Sequence, residues 1–148
     1  MRWIVLLPAN RFGIRFAHAR QRLEQQGLRV TRINNGFTAP DTTYAGLNVT
    51  WRTAAGSDFE IQFHTAQSLN TRNTSHKTYR KWQDLEVNIA LAQDPAERQA
   101  LQQANARLLS ERKAQAAAVA LPEGIQGIPS IRYDSSADAP LTASALES

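Results

Sequence analysis

A polar row on one predicted strand carries the side chains of this chain that are best suited to chemistry. The segment from Phe59 to Thr65 alternates apolar and polar residues, and successive side chains of a strand point to opposite faces. Glu60, Gln62 and His64 therefore share one face, and their acid, amide and imidazole groups can bind a metal or transfer a proton. A half-buried strand without any function produces the same alternation. The row is thus a candidate site, opposite a predicted buried row of Phe59, Ile61 and Phe63.

The preceding predicted strand offers a second polar row. Along 47–52 the residues Asn48 and Thr50 share the face opposite the apolar ones, so pairing of the two strands would bring them beside Glu60. Tyr44 comes just before this strand, in a loop that contains Gly46. A tyrosine placed there could stack on a nucleic-acid base, or it could cap the rim of the core.

Strand and helix patterns alternate around these rows. Apolar runs and flanking turn residues predict four strands and two helices in the first part of the chain, with Asn10 as the cap of the first helix and Gly27 after its end. The predicted strands are 2–7, 28–33, 47–52 and 59–64, and the predicted helices are 11–26 and 67–82. The order β-α-β-β-β-α predicts an α+β fold, in which helices flank a mixed sheet of about four strands.

The composition changes after Trp82. Asp94 and Pro95 form a helix start, with an Asp cap and Pro at the first helical position. The long helix that follows, to about Ala118, is expected to pack outside the sheet and to supply no catalytic group. We divide the chain into a core at 1–82, a helical extension at 83–125 and a disordered tail at 126–148, whose last residues are small and polar.

Composition excludes several classes of protein. The 148 residues correspond to one domain, and the absence of cysteine removes disulfides, thiolate metal sites and cysteine nucleophiles. No apolar run approaches the roughly 20 residues of a membrane span, and no signal peptide is recognisable. The net charge of +4 has its basic excess in the first 82 residues. Such a surface suits a nucleotide or RNA, although solubility alone would also account for it.

Three motifs together resemble the RelA/SpoT-type nucleotide pyrophosphokinase (synthetase) domain. The segment Tyr44-x-Gly46-x-Asn48 is similar to that family's Tyr-x-Ser-x-His, and residues 60–65 are similar to its Glu-Ile-Gln-Ile-Arg-Thr. His76 matches a further family His on the following helix. The likeness covers about residues 1–82. A closer likeness, to the secreted ATP:nucleotide 3′-pyrophosphokinases and related toxin domains, extends to about residue 125. It is carried by residues 48–52 and 59–65, by His76-x-x-Tyr79 and by Leu121-Pro122-Glu123-Gly124.

The resemblance implies an activity and a set of roles. It implies Mg²⁺-dependent transfer of pyrophosphate from ATP to the 3′ hydroxyl of an acceptor nucleotide. Glu60 would bind Mg²⁺ or activate that hydroxyl, and Gln62 and His64 would hold the nucleotide. Tyr44 would stack on the acceptor base, and Asn48 stands where many members have His.

Two roles are possible for His76, and one acidic residue of the family has no counterpart in this sequence. By the resemblance, His76 would contact phosphate, but it could equally brace its helix against the sheet. The family also has a Mg²⁺-binding Asp and ATP-binding basic residues before the strand that matches 2–6, and the chain begins at Met1 without them. Arg2 and the arginines of 11–22 are candidate substitutes, though arginines on an amphipathic helix are usually solvated.

Two hypotheses from different classes follow. One is an enzyme, a toxin or effector domain whose partners would be ATP, an acceptor nucleotide and a cognate immunity protein, delivered into a target cell or acting in the cytoplasm. The other is an inactive module that binds a nucleotide or RNA. With one carboxylate in the row, we expect the chain as given to bind a nucleotide and to transfer pyrophosphate poorly.

Overall fold

A five-stranded mixed sheet organises the computed structural model, which describes residues 2–133. The strands are β1 (Arg2–Leu6), β2 (Arg29–Asn35), β3 (Leu47–Arg52), β4 (Asp58–His64) and β5 (Ile131–Arg132). The α-helices are α1 (Phe12–Gln25), α2 (Ala66–Leu91) and α3 (Pro95–Ala117), and short 3-10 turns occupy Ala9–Arg11 and Ile125–Gly127. The predicted α+β class, with a mixed sheet flanked by helices, is confirmed.

The strand order across the sheet is β1-β4-β3-β2-β5. The β1–β4 pair is parallel, whereas the β4–β3, β3–β2 and β2–β5 pairs are antiparallel. The four predicted strands are all present, and β5 is a strand that the sequence did not predict. It is two residues long, too short for an alternating pattern to stand out.

One face of the sheet carries the core. Helix α1 lays Phe12 and Phe16 on this face, where the Phe16 ring meets Phe63 edge-on at a centroid distance of 5.1 Å. Trp51 on β3 is fully buried, and burial of a large apolar side chain contributes about 1.5–3 kcal/mol. The predicted apolar row of β4 is confirmed, with Ile61 and Phe63 buried and Phe59 half-buried at the end of the strand.

Helices α2 and α3 form an antiparallel hairpin. Helix α2 was predicted to end at Trp82, which is wrong. It continues to Leu91, since no Gly or Pro interrupts the sequence before Pro95. The Asp94 start of α3 is confirmed, because its side chain accepts a hydrogen bond of 3.1 Å from the Ala96 amide. No helix within residues 2–133 is both long and apolar enough to cross a membrane.

The ends of α1 differ in how well the sequence predicted them. Gly27 follows the helix with a φ of 87°, a conformation that glycine adopts without strain, as predicted. The prediction that Asn10 caps α1 was wrong. Asn10 lies in the turn Ala9–Arg11, and α1 begins at Phe12 without a side-chain cap bond.

The segment after α3 returns to the sheet and completes the core. Val119 and Ile125 are buried in the core cluster, and β5 pairs with β2. Asn35 fixes this return, because its Nδ2 donates to the carbonyl oxygens of Ile125 and Ile128 at 3.0 and 2.8 Å. The predicted tail at 126–148 therefore begins in ordered structure, and its part from 134 onward lies outside the described residues.

Candidate functional site

The face of the sheet opposite the core is polar where β4 meets its neighbours. The strand register places Glu60 between Arg2 and Thr50. It also places Gln62 between Ile4 and Asn48. The predicted neighbourhood of the two polar rows is thus confirmed.

Glu60 is the accessible acid of this face. Its Oε1 lies 3.0 Å from Arg2 Nε and accepts a 3.2 Å hydrogen bond from Gln62 Nε2, while 29 % of the Glu60 side chain is exposed. Gln62 is buried, and its Oε1 has no hydrogen-bond partner within the described chain. A carboxylate open to solvent therefore lies beside an amide oxygen that still lacks a donor.

Tyr44 is folded back onto the sheet by the loop before β3. Its hydroxyl donates to Asn48 Oδ1 at 2.7 Å and lies 2.8 Å from His64 Nε2, and its ring meets the His64 ring edge-on at 5.5 Å. Gly46 makes this possible, because a Cβ there would overlap the Tyr44 hydroxyl and lie 2.7 Å from His64 Cε1. The Tyr44 hydroxyl is therefore engaged within the protein.

His64 is fully buried at the end of β4. Its Nδ1 lies 2.9 Å from Ser68 Oγ, which is fixed by the reciprocal cap bonds with Thr65 that begin α2. Burial, followed by the positive charge of Arg72, lowers the pKa of His64 to about 4. The imidazole is therefore neutral, so one of its ring nitrogens donates and the other accepts, and the hydroxyls of Tyr44 and Ser68 lie at hydrogen-bond distance from the two nitrogens.

Burial also controls the Tyr44 hydroxyl. It raises the pKa of Tyr44 well above its ordinary value, because a phenolate would lose its hydration. The charges of Arg72, Glu60 and Arg2 act on the same hydroxyl. Tyr44 remains a neutral donor at physiological pH, and it stands between the acid of the sheet face and the basic residues of α2.

The structure brings five of the six predicted site residues together. Tyr44, Asn48, Glu60, Gln62 and His64 form one continuous set across the loop, β3 and β4. His76 lies apart from them. It is exposed on α2, and within residues 2–133 no hydrogen bond links it to the sheet, so bracing against the sheet is not observed.

Sequence reasoning missed several residues of this region. Ser68 holds His64, and the Thr65-x-x-Ser68 pattern of a capping box was the signal that could have revealed it. Arg72 on α2 and Arg112 on α3 lie beside Tyr44, and no local pattern connects two residues so far apart in the sequence. Of the candidate substitutes, Arg2 does reach Glu60, whereas the arginines of 11–22 lie on or beside α1, which covers the opposite face.

A magnesium ion fits this face in a limited way. No group of three or more His, Asp or Glu side chains that could hold a metal occurs within residues 2–133. Mg²⁺ commonly uses one or two carboxylates together with substrate phosphates. Glu60 could supply one ligand, since only its Oε1 is engaged. The ion would then neutralise the negative charge of the substrate phosphates that bind it together with Glu60.

Comparison with known proteins adds no relative. No family model, no curated protein and no solved structure matches this chain.

Proposed function

We propose that this chain is a nucleotide-binding domain of the 3′-pyrophosphokinase type, with the polar face of β3 and β4 as its acceptor site. The observation that carries the proposal is the convergence of Glu60, Gln62, Asn48, Tyr44 and His64 on one face. A partly exposed carboxylate beside amide groups suits a nucleotide hydroxyl, because the carboxylate can accept its proton while the amides fix its position.

The reaction can be written for these residues. The 3′ oxygen of the acceptor nucleotide attacks the β-phosphorus of ATP, the bond from that phosphorus to the α–β bridging oxygen breaks, and AMP leaves. The hydroxyl proton passes to the Glu60 carboxylate. Transfer of this kind depends on positioning and on neutralising charge, so Arg2, 3.0 Å from Glu60, can serve the phosphates once it releases the carboxylate.

Slow turnover is expected from the single carboxylate. Glu60 would be the one acidic ligand that the cluster offers to Mg²⁺, and a second acid that fixes the ion is missing from the set within residues 2–133. Each ~1.4 kcal/mol of lost transition-state stabilisation lowers the rate tenfold. Nucleotide binding should therefore be easier to detect than transfer.

The test is an incubation with ATP, Mg²⁺ and each of GDP, GTP and AMP, followed by separation of the nucleotides. With GDP or GTP we expect AMP and a 3′-pyrophosphorylated acceptor in equal amounts. With AMP as the acceptor, we expect its 3′-pyrophosphorylated form in an amount equal to the ATP consumed. Glu60→Gln should remove the 3′-pyrophosphorylated product in each case. Asp58→Asn is the matched control, because Asp58 is an exposed carboxylate on the same strand that pairs with Arg52. Turnover that survives Glu60→Gln would reject the assigned acid.

A toxin or effector role belongs to the same proposal. Turnover inside a cell would consume ATP and acceptor nucleotides, so expression of the wild-type chain should slow growth. A chain carrying Glu60→Gln, expressed at the same level, should not. Equal toxicity of the two chains would separate growth inhibition from this chemistry.

A second candidate is a module that binds a nucleotide or RNA without transfer. The observation that favours it is the ion pair of Glu60 with Arg2, which occupies the proposed base in the structure. Binding of GDP without any AMP formation, unchanged by Glu60→Gln, would support this candidate over the enzyme.

A further inference from the structure

Two arginines from different helices converge beside Tyr44. Arg72 of α2 and Arg112 of α3 line a small recess together with hydroxyl side chains, among them Thr43 and Ser75. No Asp or Glu lines this recess within the described part of the chain. Guanidinium groups surrounded by hydroxyls, without a carboxylate, form the donor set that phosphate oxygens use.

Arg112 is held in place by its neighbours, but one of its hydrogen-bond donors has no acceptor within residues 2–133. Its guanidinium lies over the Tyr79 ring at 4.8 Å and the Trp82 ring at 5.8 Å, and Nη2 donates a long 3.4 Å hydrogen bond to Thr43. The Nε atom is buried and has no partner within residues 2–133. A charged donor buried in this way needs an acceptor, so the guanidinium of Arg112 has unused hydrogen-bonding capacity beside the recess.

The size of the recess limits what can enter it. Its volume is about 10 Å³, which corresponds to about one water molecule. Gln115 also lines the recess, and its Oε1 is buried without a partner within residues 2–133, so this atom needs a donor rather than an acceptor. One oxygen of a phosphate group, or its hydroxyl when protonated, fits this space while the rest of the group stays at the mouth.

Arg72 supplies the second positive charge. Its Nη1 donates to Asn73 Oδ1 at 3.2 Å, and no carboxylate pairs with it in the described chain. The positive charge of Arg72 acts on both Tyr44 and His64, lowering the pKa of each and so favouring its deprotonated form. Tyr44 lines the recess, and its hydroxyl contacts Asn48 and His64, so the recess adjoins the polar face of the sheet.

We propose that Arg72 and Arg112 form a phosphate-binding site that holds a phosphate group of a nucleotide at the Tyr44 end of the polar face. The nucleotide identity rests on the proposed function, whereas the anion chemistry rests on the recess itself. The site lies on the α2–α3 hairpin, so this hairpin takes part in binding.

The test is isothermal titration calorimetry of the full chain with ATP and, separately, with inorganic triphosphate. We expect Arg72→Ala and Arg112→Ala each to weaken the binding of both probes by about tenfold, as for loss of a hydrogen bond to a charged group. Arg80→Ala on α2 and Arg107→Ala on α3 are matched controls, since both residues are exposed, and they should bind as the wild type does.

A conservative variant protects the test against misfolding. If Arg112→Ala unfolds because the aromatic stack is lost, Arg72→Ala and Arg72→Lys carry the result. Lys retains the charge but not the planar fork, so Arg72→Lys should bind more weakly than the wild type and more tightly than Arg72→Ala. Circular dichroism confirms the fold of each variant.

The outcomes separate this proposal from the enzymatic one. Loss of binding in the Arg72 and Arg112 variants, without any pyrophosphate transfer by the wild type, would support the phosphate site and reject the enzyme. Wild-type binding of both probes by both variants would overturn the phosphate site and indicate that the recess holds only water. Arginine-dependent binding of a short single-stranded RNA, without binding of ATP, would also overturn it.

Discussion

Replacement of Gly46 by alanine should disrupt the candidate site without any backbone strain. Gly46 has no positive φ, so alanine is compatible with its conformation. The added methyl group would instead overlap the Tyr44 hydroxyl and lie 2.7 Å from His64 Cε1. Tyr44 must move, which breaks its hydrogen bonds to Asn48 and His64.

The magnitude follows from two contributions. Overpacking in a well-packed region costs about 1–3 kcal/mol, and each lost hydrogen bond about 0.5–1.5 kcal/mol. With two hydrogen bonds lost, we expect Gly46→Ala to lower the free energy of unfolding by roughly 2–6 kcal/mol, and the melting temperature by roughly 4–24 °C.

Urea denaturation and thermal unfolding followed by circular dichroism measure this change. Gly127→Ala is the matched control, because nothing lies within 4 Å of the added Cβ and the φ of Gly127 is not positive. Tyr44→Phe in the Gly46→Ala background should cost less than it does in the wild type, since the hydroxyl is already displaced. A Gly46→Ala variant within about 0.5 kcal/mol of the wild type would refute the assigned position of Tyr44.

Two further predictions concern stability. The pKa of His64 is about 4 in the folded chain against about 6.5 for an unperturbed histidine, so the unfolded chain binds more protons between these values. The contribution of His64 to the free energy of unfolding, on the order of 3 kcal/mol, should be complete above about pH 6.5 and fall as the pH drops toward 4. Urea denaturation at a series of pH values should show a smaller loss of stability in His64→Gln than in the wild type. An equal loss in the two proteins would contradict a neutral buried imidazole. Asn35→Ala should cost about 2–4 kcal/mol, because it removes the side-chain donor to the Ile128 carbonyl oxygen and leaves the buried Phe37 amide without its acceptor. Asn34→Ala, which alters the exposed neighbour, should change the unfolding midpoint little, and equal effects of the two variants would reject the anchoring role.

The parts of the fold with strong local signals were predictable from the sequence. Strand β3 has the bounds 47–52 that were predicted, and the alternation along β4 predicted which side chains face the core. Asp94-Pro95 marked the start of α3. Each of these features depends on residues close in sequence, where periodicity and capping act directly.

The remaining features depend on contacts between distant residues. β5 exists because Asn35 and β2 receive the returning chain, and nothing within Ile131–Arg132 itself indicates a strand. The polar row of β4 was read as open to a ligand, yet Gln62 and His64 are buried. Tyr44 and Ser68 of α2 pack against His64, and single-sequence patterns do not report such packing.

The pairing of β5 with β2 has a consequence for the order in which this protein can acquire its structure. Two buried side chains of the core, Val119 and Ile125, follow both long helices in the chain and are therefore translated after them. The same holds for the carbonyl oxygens of Ile125 and Ile128, which accept hydrogen bonds from Asn35 Nδ2. Strand β1 likewise cannot pair until β4 has been synthesised, because the two strands are separated by more than fifty residues of sequence. A ribosome-bound nascent chain that stops after α2 therefore lacks part of its core. We expect cooperative folding only once residues up to 133 have emerged, at a rate that loop closure over these distances keeps slow.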